Sequence, residues 1–131
     1  MKRQNITRFT GLLVALVASG SLAWQLNAAD SKEDAIKEFM KACHKAPKGT
    51  DPTCKKAANG EASKDELKRL IEGYQMMCSA TPSKGDAASW KEKTTKLLTA
   101  AKGLQKGGPD ALAAYKEAVN CKACHSVHKP D

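Results

Sequence analysis

The sequence predicts an all-α protein, and three observations support this fold class. Apolar residues recur at three- and four-residue spacing in four segments, as they do on one face of a helix. Stretches rich in Pro and Gly separate those segments and are typical of loops. No run of β-branched residues alternates with polar ones, so strand signals are absent. Four helices joined by short loops predict an antiparallel up-down-up-down four-helix bundle.

The first predicted helix runs from about Lys32 to Lys45. Ser31 can cap its first turn, which also carries two acids. Two prolines and a glycine, which disrupt helices, then predict a loop at residues 46–53. Residues 54–58 can form one more helical turn. The buried stripe of the first helix consists of Ile36, Phe39, Met40 and Cys43.

The second and third predicted helices have clear start signals. Ser63 and Glu66 form a capping box for the second helix, which continues to about Cys78. Asp86 can cap the third helix, and Gly107–Gly108 ends it. The predicted buried rows are Leu67, Leu70, Ile71, Tyr74 and Met77 or Cys78 in the second helix, and Trp90, Thr94, Leu97, Leu98, Ala101 and Leu104 in the third.

The fourth predicted helix, from Pro109 to about His128, carries the motif Cys-Lys-Ala-Cys-His at residues 121–125. Two cysteines with two residues between them, followed at once by a histidine, are the attachment signature of c-type haem. On a helix both thiols share a face, so Cys121 and Cys124 can add across the vinyl groups at one edge of a porphyrin. His125 falls on the same face and can bind the iron as the proximal ligand.

Two other interpretations of this motif are a redox dithiol and, with His128, a zinc site. The cluster is too compact to close tetrahedrally around zinc without breaking the helix, and His128 is expected to be exposed. Export, for which the N-terminus provides a signal, also favours covalent haem, because c-type haem is attached outside the cytoplasm.

A seam of small residues leads to the motif along the fourth helix. Alanine leaves room for a flat porphyrin or for a closely packed neighbouring helix. Because the seam ends in the haem motif, we favour the haem interpretation. The seam consists of Ala111, Ala114, Ala118, Cys121 and His125, at steps of three and four residues.

Residues 1–29 predict a secretory signal peptide. Three basic residues precede an apolar run, and small residues follow it at Ala28 and Ala29. An uncleaved anchor helix is the alternative, but the run is short for a membrane span. No second apolar run follows, so the mature protein is expected to be periplasmic and free of the membrane.

The mature chain, residues 30–131, is expected to form one small domain. Without the three basic residues of the signal segment, its net charge is +5. Lysines are mixed with acids along the chain, which disfavours nucleic acid and favours an acidic protein partner. Aromatic and large aliphatic residues are few, so a bound haem would add apolar mass to the core.

The chain resembles the class II cytochromes c, which comprise cytochrome c-prime and its low-spin monohaem relatives. The haem motif ends the last helix, as it does in that family. Residues 36–40 resemble the family's first helix, and residues 90–93 resemble the start of its third. The loop Pro47–Pro52 departs from the family pattern. The resemblance implies a bundle with one covalent haem and permits a homodimer, since dimers occur in the family.

The resemblance also implies a sixth iron ligand. In the low-spin members a methionine of the first helix binds iron opposite the histidine, and Met40 matches that position. The alternative role of Met40 is core packing. His44, one turn later on the same row, is the alternative ligand, or else a surface histidine near a helix C-terminus.

Three cysteines remain outside the haem motif. In an oxidising compartment they predict one disulfide and one free thiol. Cys43–Cys54 is the preferred pairing because it would clip the loop between them at its two ends, and Cys54–Cys78 is the alternative.

Two functions are therefore expected. Ligation by His125 and Met40 would make an electron carrier, since methionine stabilises ferrous iron. If no side chain occupied the distal face of the haem, the iron would instead be five-coordinate. The protein would then bind gases such as NO and CO, as cytochrome c-prime does. No acid–base or nucleophile constellation accompanies the motif, so an enzyme is not expected.

Overall fold

The described chain folds into helices alone. A computed structural model describes the backbone of residues 22–131 and the side chains from Lys32 onward. The predicted all-α class is confirmed. This part of the chain contains six helices and no strand: α1 Leu22–Cys43, α2 Thr53–Asn59, α3 Lys64–Ser79, α4 Ala87–Lys106, α5 Ala111–Ala118 and α6 Cys121–His128.

The starts of α3 and α4 follow the predicted capping signals. The Ser63 hydroxyl accepts a hydrogen bond from the Glu66 amide at 3.2 Å, and the Glu66 carboxylate accepts one from the Ser63 amide at 2.8 Å. Asp86 accepts a hydrogen bond from the Ser89 amide at 2.7 Å. α4 ends at Gly107, whose φ of +74° is a conformation that glycine adopts at low cost. Both helices therefore have boundaries close to those predicted.

The predicted apolar rows of α1, α3 and α4 meet in the core. α3 packs along α4, α1 packs on α3, and α5 packs on α4 and α2. Gly73 lets α1 approach α3 closely, because a Cβ atom there would collide with the Phe39 ring. The core draws on every helix from α1 to α5. Its buried residues are Cys43, Cys54, Ala57, Leu70, Ile71, Tyr74, Met77, Trp90, Ala100, Ala101 and Tyr115.

α1 differs from the prediction in its first residue. It begins at Leu22 rather than near Lys32 and runs through the expected cleavage site after Ala28 or Ala29. Leu and Ala make up half of residues 22–31, and both favour a helix in the uncleaved chain. The rest of the predicted signal peptide lies outside the described residues. No helix within residues 22–131 has both the length and the apolar character needed to cross a membrane.

The prediction of one continuous fourth helix is wrong, because two helices replace it. The backbone of Asn120 is extended, with φ −80° and ψ 94°, and its side-chain oxygen accepts a hydrogen bond from the Ala123 amide at 3.0 Å. A side chain that caps a new helix in this way competes with continuation of the preceding helix. α5 also starts at Ala111 rather than at Pro109.

This break interrupts the predicted alanine seam. Ala114 is exposed on α5, and Ala118 is the last residue of that helix. Cys121 is the first residue of α6. The Cys-Lys-Ala-Cys-His motif therefore lies on a short helix of its own, separated from α5 by Val119 and Asn120.

Candidate functional site

A cavity of about 350 Å³ lies beside α6, and we call it the α6 pocket. Residues of α1, α4 and the α5–α6 junction form its other walls. Its volume lies in the range that is common for small-molecule and cofactor sites. The fold thus brings all five predicted site residues to one cavity: Met40, His44, Cys121, Cys124 and His125.

Cys121 and Cys124 lie one helical turn apart in the wall of the pocket. Cys121 is exposed and Cys124 is half-buried, and both are free thiols. Burial raises the pKa of the Cys124 thiol, while the nearby Lys93 ammonium acts in the opposite direction. Two thiols on one helix face can each form a thioether with the same flat group if it enters the pocket edge-on.

His125 contributes an imidazole to the wall of the pocket. The residue is exposed and lines the pocket, and no described residue forms a hydrogen bond with its ring. It lies near enough to His44 for its charge to affect the pKa of that residue. Because neutral imidazole is among the commonest metal ligands, the ring is available for ligation.

Met40 lies on the α1 wall of the pocket with its side chain half-buried. The preceding residue, Phe39, contacts His44 and Tyr74 edge-on, with ring centroids 5.4 Å apart in each pair. Phe39 also packs against Gly73, where the two helices approach. These contacts fix the end of α1 and hold Met40 beside the cavity.

His44 is not a surface histidine, although it lies just after the end of α1. Its Nε2 atom is 3.1 Å from the Tyr74 hydroxyl, and its ring contacts Tyr74 edge-on at 5.6 Å between centroids. Burial, and to a smaller extent the charge of His125, lower the pKa of His44 to about 4. The imidazole is therefore neutral near pH 7 and bonded on its Nε2 side.

Tyr74 and Tyr115 continue this hydrogen-bonded chain into the core. Their hydroxyl oxygens are 2.8 Å apart, and both residues are fully buried. Burial raises the pKa of both phenols, so both remain protonated. Tyr74 was expected in the core, but its hydrogen bonds and the role of Tyr115 were not predicted. The only sequence signal for Tyr115 is that it is the sole aromatic residue of α5.

His128 follows the motif on α6 but does not line the pocket. The expectation that it is exposed is wrong. Only 4% of its surface is accessible. Both ring nitrogens have partners, namely the Lys84 carbonyl oxygen and the Ser89 hydroxyl. His128 therefore does not complete a zinc site with the two cysteines and His125. Within residues 22–131, no group of three or more His, Cys, Asp or Glu side chains is arranged to bind a metal ion by itself.

The predicted Cys43–Cys54 disulfide is not formed. Cys43, Cys54 and Cys78 are all free thiols, and the first two are buried in the core. Burial raises the pKa of Cys43 and, to about 11, that of Cys54. A free cysteine packs as a small apolar residue. Both thiols instead pack among the core residues, a role that the prediction from the compartment did not consider.

The charged side chains around the pocket are balanced in sign. Glu92, Lys93, Lys96 and Glu117 all line it, and Lys96 pairs with Glu117. These four side chains give the rim no excess of either charge.

No protein-family model, curated protein or solved structure matches this chain. Its function is therefore inferred from the chemistry of the α6 pocket.

Proposed function

We propose that the chain is an exported, soluble c-type monohaem cytochrome that acts as an electron carrier. One observation carries the proposal: the two cysteines and the histidine of the haem motif share a single pocket with Met40 and His44. Cys121, Cys124 and His125 lie on α6, whereas Met40 lies on α1 and His44 directly follows it. These distant parts of the chain line one cavity, which supports attachment and ligation of a single haem there.

The chemistry of the donor set fits a covalent haem. Cys121 and Cys124 are free thiols one turn apart, and the His125 ring has no competing hydrogen bond among the described residues. Leu97 and Val119 add apolar surface to the pocket wall. Thiols for thioether bonds, an imidazole for the proximal position and apolar walls are what a c-type haem needs from its protein.

Each site residue then has a defined task. Cys121 and Cys124 would anchor the porphyrin, and His125 would donate an imidazole lone pair to iron. Met40 would supply a thioether, which favours the ferrous form and raises the reduction potential. When bound, the haem would supply the iron that gains and loses the electron. Ligands held by packed helices keep their places in both oxidation states, so little rearrangement opposes electron transfer.

Met40 is favoured over His44 as the sixth ligand because of the contacts of the two side chains. The Nε2 atom of His44 is bonded to the Tyr74 hydroxyl, and iron could take it only after that bond is broken. A thioether is at most a weak hydrogen-bond acceptor, so Met40 has no comparable bond to lose. Ligation by Met40 therefore costs less than ligation by His44 through Nε2.

The same proposal extends to the whole molecule. Residues 1–29 would direct export and be removed, leaving residues 30–131 in the periplasm. The helices would form an antiparallel up-down-up-down bundle, with α5 and α6 together in the place of the fourth helix. The packing of α3 on α4 and of α4 on α5, each pair joined by a short connection, supports this topology. Partners would be redox proteins with acidic docking patches, and a homodimer is compatible with the resemblance.

Covalent attachment can be tested directly. The full chain is produced in a periplasm that contains the c-type haem attachment machinery, and the protein is extracted with acid–acetone. The colour should remain with the polypeptide. Cys121→Ser and Cys124→Ser should each lose one thioether bond, which mass spectrometry of haem peptides detects. Cys78→Ser, a half-buried thiol outside the pocket, is the control and should retain both bonds. Haem that extracts from the wild type would contradict the proposal.

Spectra of the purified protein separate the electron carrier from the gas-binding alternative. The wild type should be low-spin and slow to bind CO. Met40→Ala should become high-spin, bind CO readily and have a lower reduction potential. Met76→Ala, which alters a half-buried methionine outside the pocket, should leave the spectrum unchanged. A wild type that is already high-spin would favour a five-coordinate gas-binding protein, and loss of the low-spin spectrum in His44→Ala alone would assign His44 as the ligand.

A further inference from the structure

The His128 ring is held on three sides by α4 and the residues just before it. Its Nδ1 atom is 3.0 Å from the Lys84 carbonyl oxygen, and its Nε2 atom is 3.1 Å from the Ser89 hydroxyl. Because a carbonyl oxygen can only accept, Nδ1 carries a hydrogen and donates it to Lys84. The ring also contacts Trp90 edge-on, at 5.4 Å between centroids. Both ring nitrogens of His128 are therefore hydrogen-bonded, and the ring is also held by an aromatic contact.

The backbone of the α3–α4 loop is shaped to receive this ring. A Cβ atom at Gly85 would lie 2.6 Å from the Nδ1 atom of His128 and 2.8 Å from the Val127 carbonyl oxygen. The φ of Gly85 is +87°, which side-chain-bearing residues rarely adopt. Glycine at this position thus allows the loop to close over the end of α6.

The surface that receives His128 is itself rigidly anchored. The Trp90 indole N–H donates to the carbonyl oxygens of Met77 and Ala80, at 2.9 and 3.1 Å. These bonds tie the first turn of α4 to the end of α3, and Trp90 is buried. His128 therefore docks on a part of the core that is fixed by independent contacts.

α6 needs such an anchor because it is only eight residues long. A helix of that length is not stable alone in water, so its orientation depends on contacts at its two ends. Asn120 caps the first end, and His128, the last residue of the helix, is bound at the other. Cys121 and His125 are exposed, and Cys124 is half-buried, so none of the three anchors the helix as firmly as His128 does.

We propose that His128 is a positioning residue: its ring, bound to Lys84, Ser89 and Trp90, fixes the rotation of α6 and so directs His125, Cys121 and Cys124 into the pocket. The inference rests on the proposed function, because it assigns those three residues to haem. His128 neither binds iron nor contacts the reacting groups, and it acts through the orientation of the helix that carries them.

The test compares variants of the full chain as purified from the periplasm. His128→Phe keeps an aromatic ring against Trp90 but loses both hydrogen bonds, and Ser89→Ala loses only one of them. Hydrogen exchange of backbone amides is measured for α6 and α3. We expect α6 protection to fall about thirtyfold in His128→Phe, as loss of two buried hydrogen bonds implies, and less in Ser89→Ala. Protection in α3 should be unchanged. Ser126→Ala, exposed on the same helix, is the control.

A second readout separates positioning from simple stabilisation. His128→Phe should give a mixture of low- and high-spin iron and a shifted reduction potential, whereas His128→Asn, which can still donate to Lys84, should recover part of the low-spin form. Wild-type α6 protection in both His128→Phe and Ser89→Ala would overturn the proposal. So would lost protection with an unchanged spectrum, since the helix would then not direct the ligand. A wild type that carries no haem would contradict the proposed function, and hydrogen exchange would then decide whether His128 holds α6.

Discussion

Tyr74 connects the pocket to the core through one hydroxyl group. It bonds to His44 at 3.1 Å and to Tyr115 at 2.8 Å, and it is fully buried. A phenol has one hydrogen to donate and also accepts, so one hydroxyl can serve both neighbours. The position of His44 beside the pocket therefore depends on a residue that does not itself line it.

Tyr74→Phe is expected to destabilise the fold and to alter the iron ligands. Two buried polar groups lose their partner, so the free energy of unfolding should fall by about 1–3 kcal/mol, measured by urea denaturation. The released Nε2 atom of His44 should then compete with Met40 for iron and lower the reduction potential. Tyr115→Phe is the matched control, because it keeps the bond between Tyr74 and His44. Equal effects on the potential would contradict this account.

Cys54 should make stability fall in alkaline solution. Its pKa is about 11 in the folded chain, against 9.0 for an ordinary thiol, chiefly because of burial. Between these values the folded state keeps a proton that the unfolded state loses. The contribution of Cys54 is therefore complete below pH 9 and is lost as the pH rises towards 11.

Urea denaturation in reducing buffer, below pH 9 and again near pH 11, measures this loss. The buried tyrosines act in the same direction, so the informative quantity is the difference between the wild type and Cys54→Ala. The variant should lose less stability over the same interval. An equal loss in both proteins would show that Cys54 does not contribute.

At the scale of helices, the capping and stop signals in the sequence correctly predicted where α3 and α4 begin and where α4 ends. The Ser63–Glu66 capping box, the Asp86 cap and the Gly107 stop all stand where the sequence placed them. Each depends on bonds within a few residues, which a sequence displays directly. The sequence also named five candidate site residues, from the Cys-Lys-Ala-Cys-His motif and from the row that contains Met40 and His44, and the fold brings all five to one cavity. Their roles toward haem stay predictions.

What the sequence did not predict depends on contacts between distant residues. Asn is a preferred helix cap, but Asn120 stands inside a continuous helical pattern, so the periodicity predicted that the helix would continue through it. His128 is buried because its partners come from a distant part of the sequence: Lys84 from the α3–α4 loop and Ser89 from the first turn of α4. Tyr115 bonds to a residue of another helix. A periodicity argument treats each helix separately and therefore misses such pairings.

The contact between α1 and α3 offers a test of how helix spacing controls the pocket. Gly73→Ala adds a Cβ atom that collides with the Phe39 ring, and overpacking of this kind costs about 1–3 kcal/mol. α1 should move outward with Met40, which would raise the high-spin fraction in the spectrum. Thermal unfolding and the same spectrum provide the measurements.

Gly103→Ala is the matched control for this substitution. Gly103 also lies within a helix, but a Cβ atom there would make only an ordinary contact, 3.8 Å from the Ala111 Cβ. Because alanine has the higher helix propensity, stability should rise by about 0.5–1 kcal/mol without a change in the spectrum. Destabilisation of similar size by both substitutions would argue against a special role for the approach at Gly73.

At the scale of the whole molecule, charge should govern encounters with a partner. Residues 30–131 carry a net charge of +5, although the rim of the pocket is balanced. Attraction between the whole molecule and an acidic partner is long-range and screened by salt. Association should therefore slow by about tenfold or more from low to high ionic strength, as stopped-flow measurements with an acidic redox protein can show.

The direction of docking follows from the same measurement. Lys122 is exposed on α6, next to the thiols, and Lys48 lies in the loop that follows α1. Lys122→Glu should slow association more than Lys48→Glu, although both change the net charge equally. Equal effects would show that the partner approaches a face other than the one beside α6.

The pocket is lined by Met40 of α1, by several residues of α4 and by the Cys121 and Cys124 thiols of α6. Of these helices, α6 comes last along the chain. A polypeptide that is threaded through a membrane from its N-terminus releases these parts in that order. Met40 and α4 would cross the membrane before Cys121 does. The thiols would therefore arrive after the part of the pocket wall that α1 and α4 supply. Under the proposed export and haem attachment, capture of haem would be confined to the final stage of translocation, and the site would assemble in a fixed order.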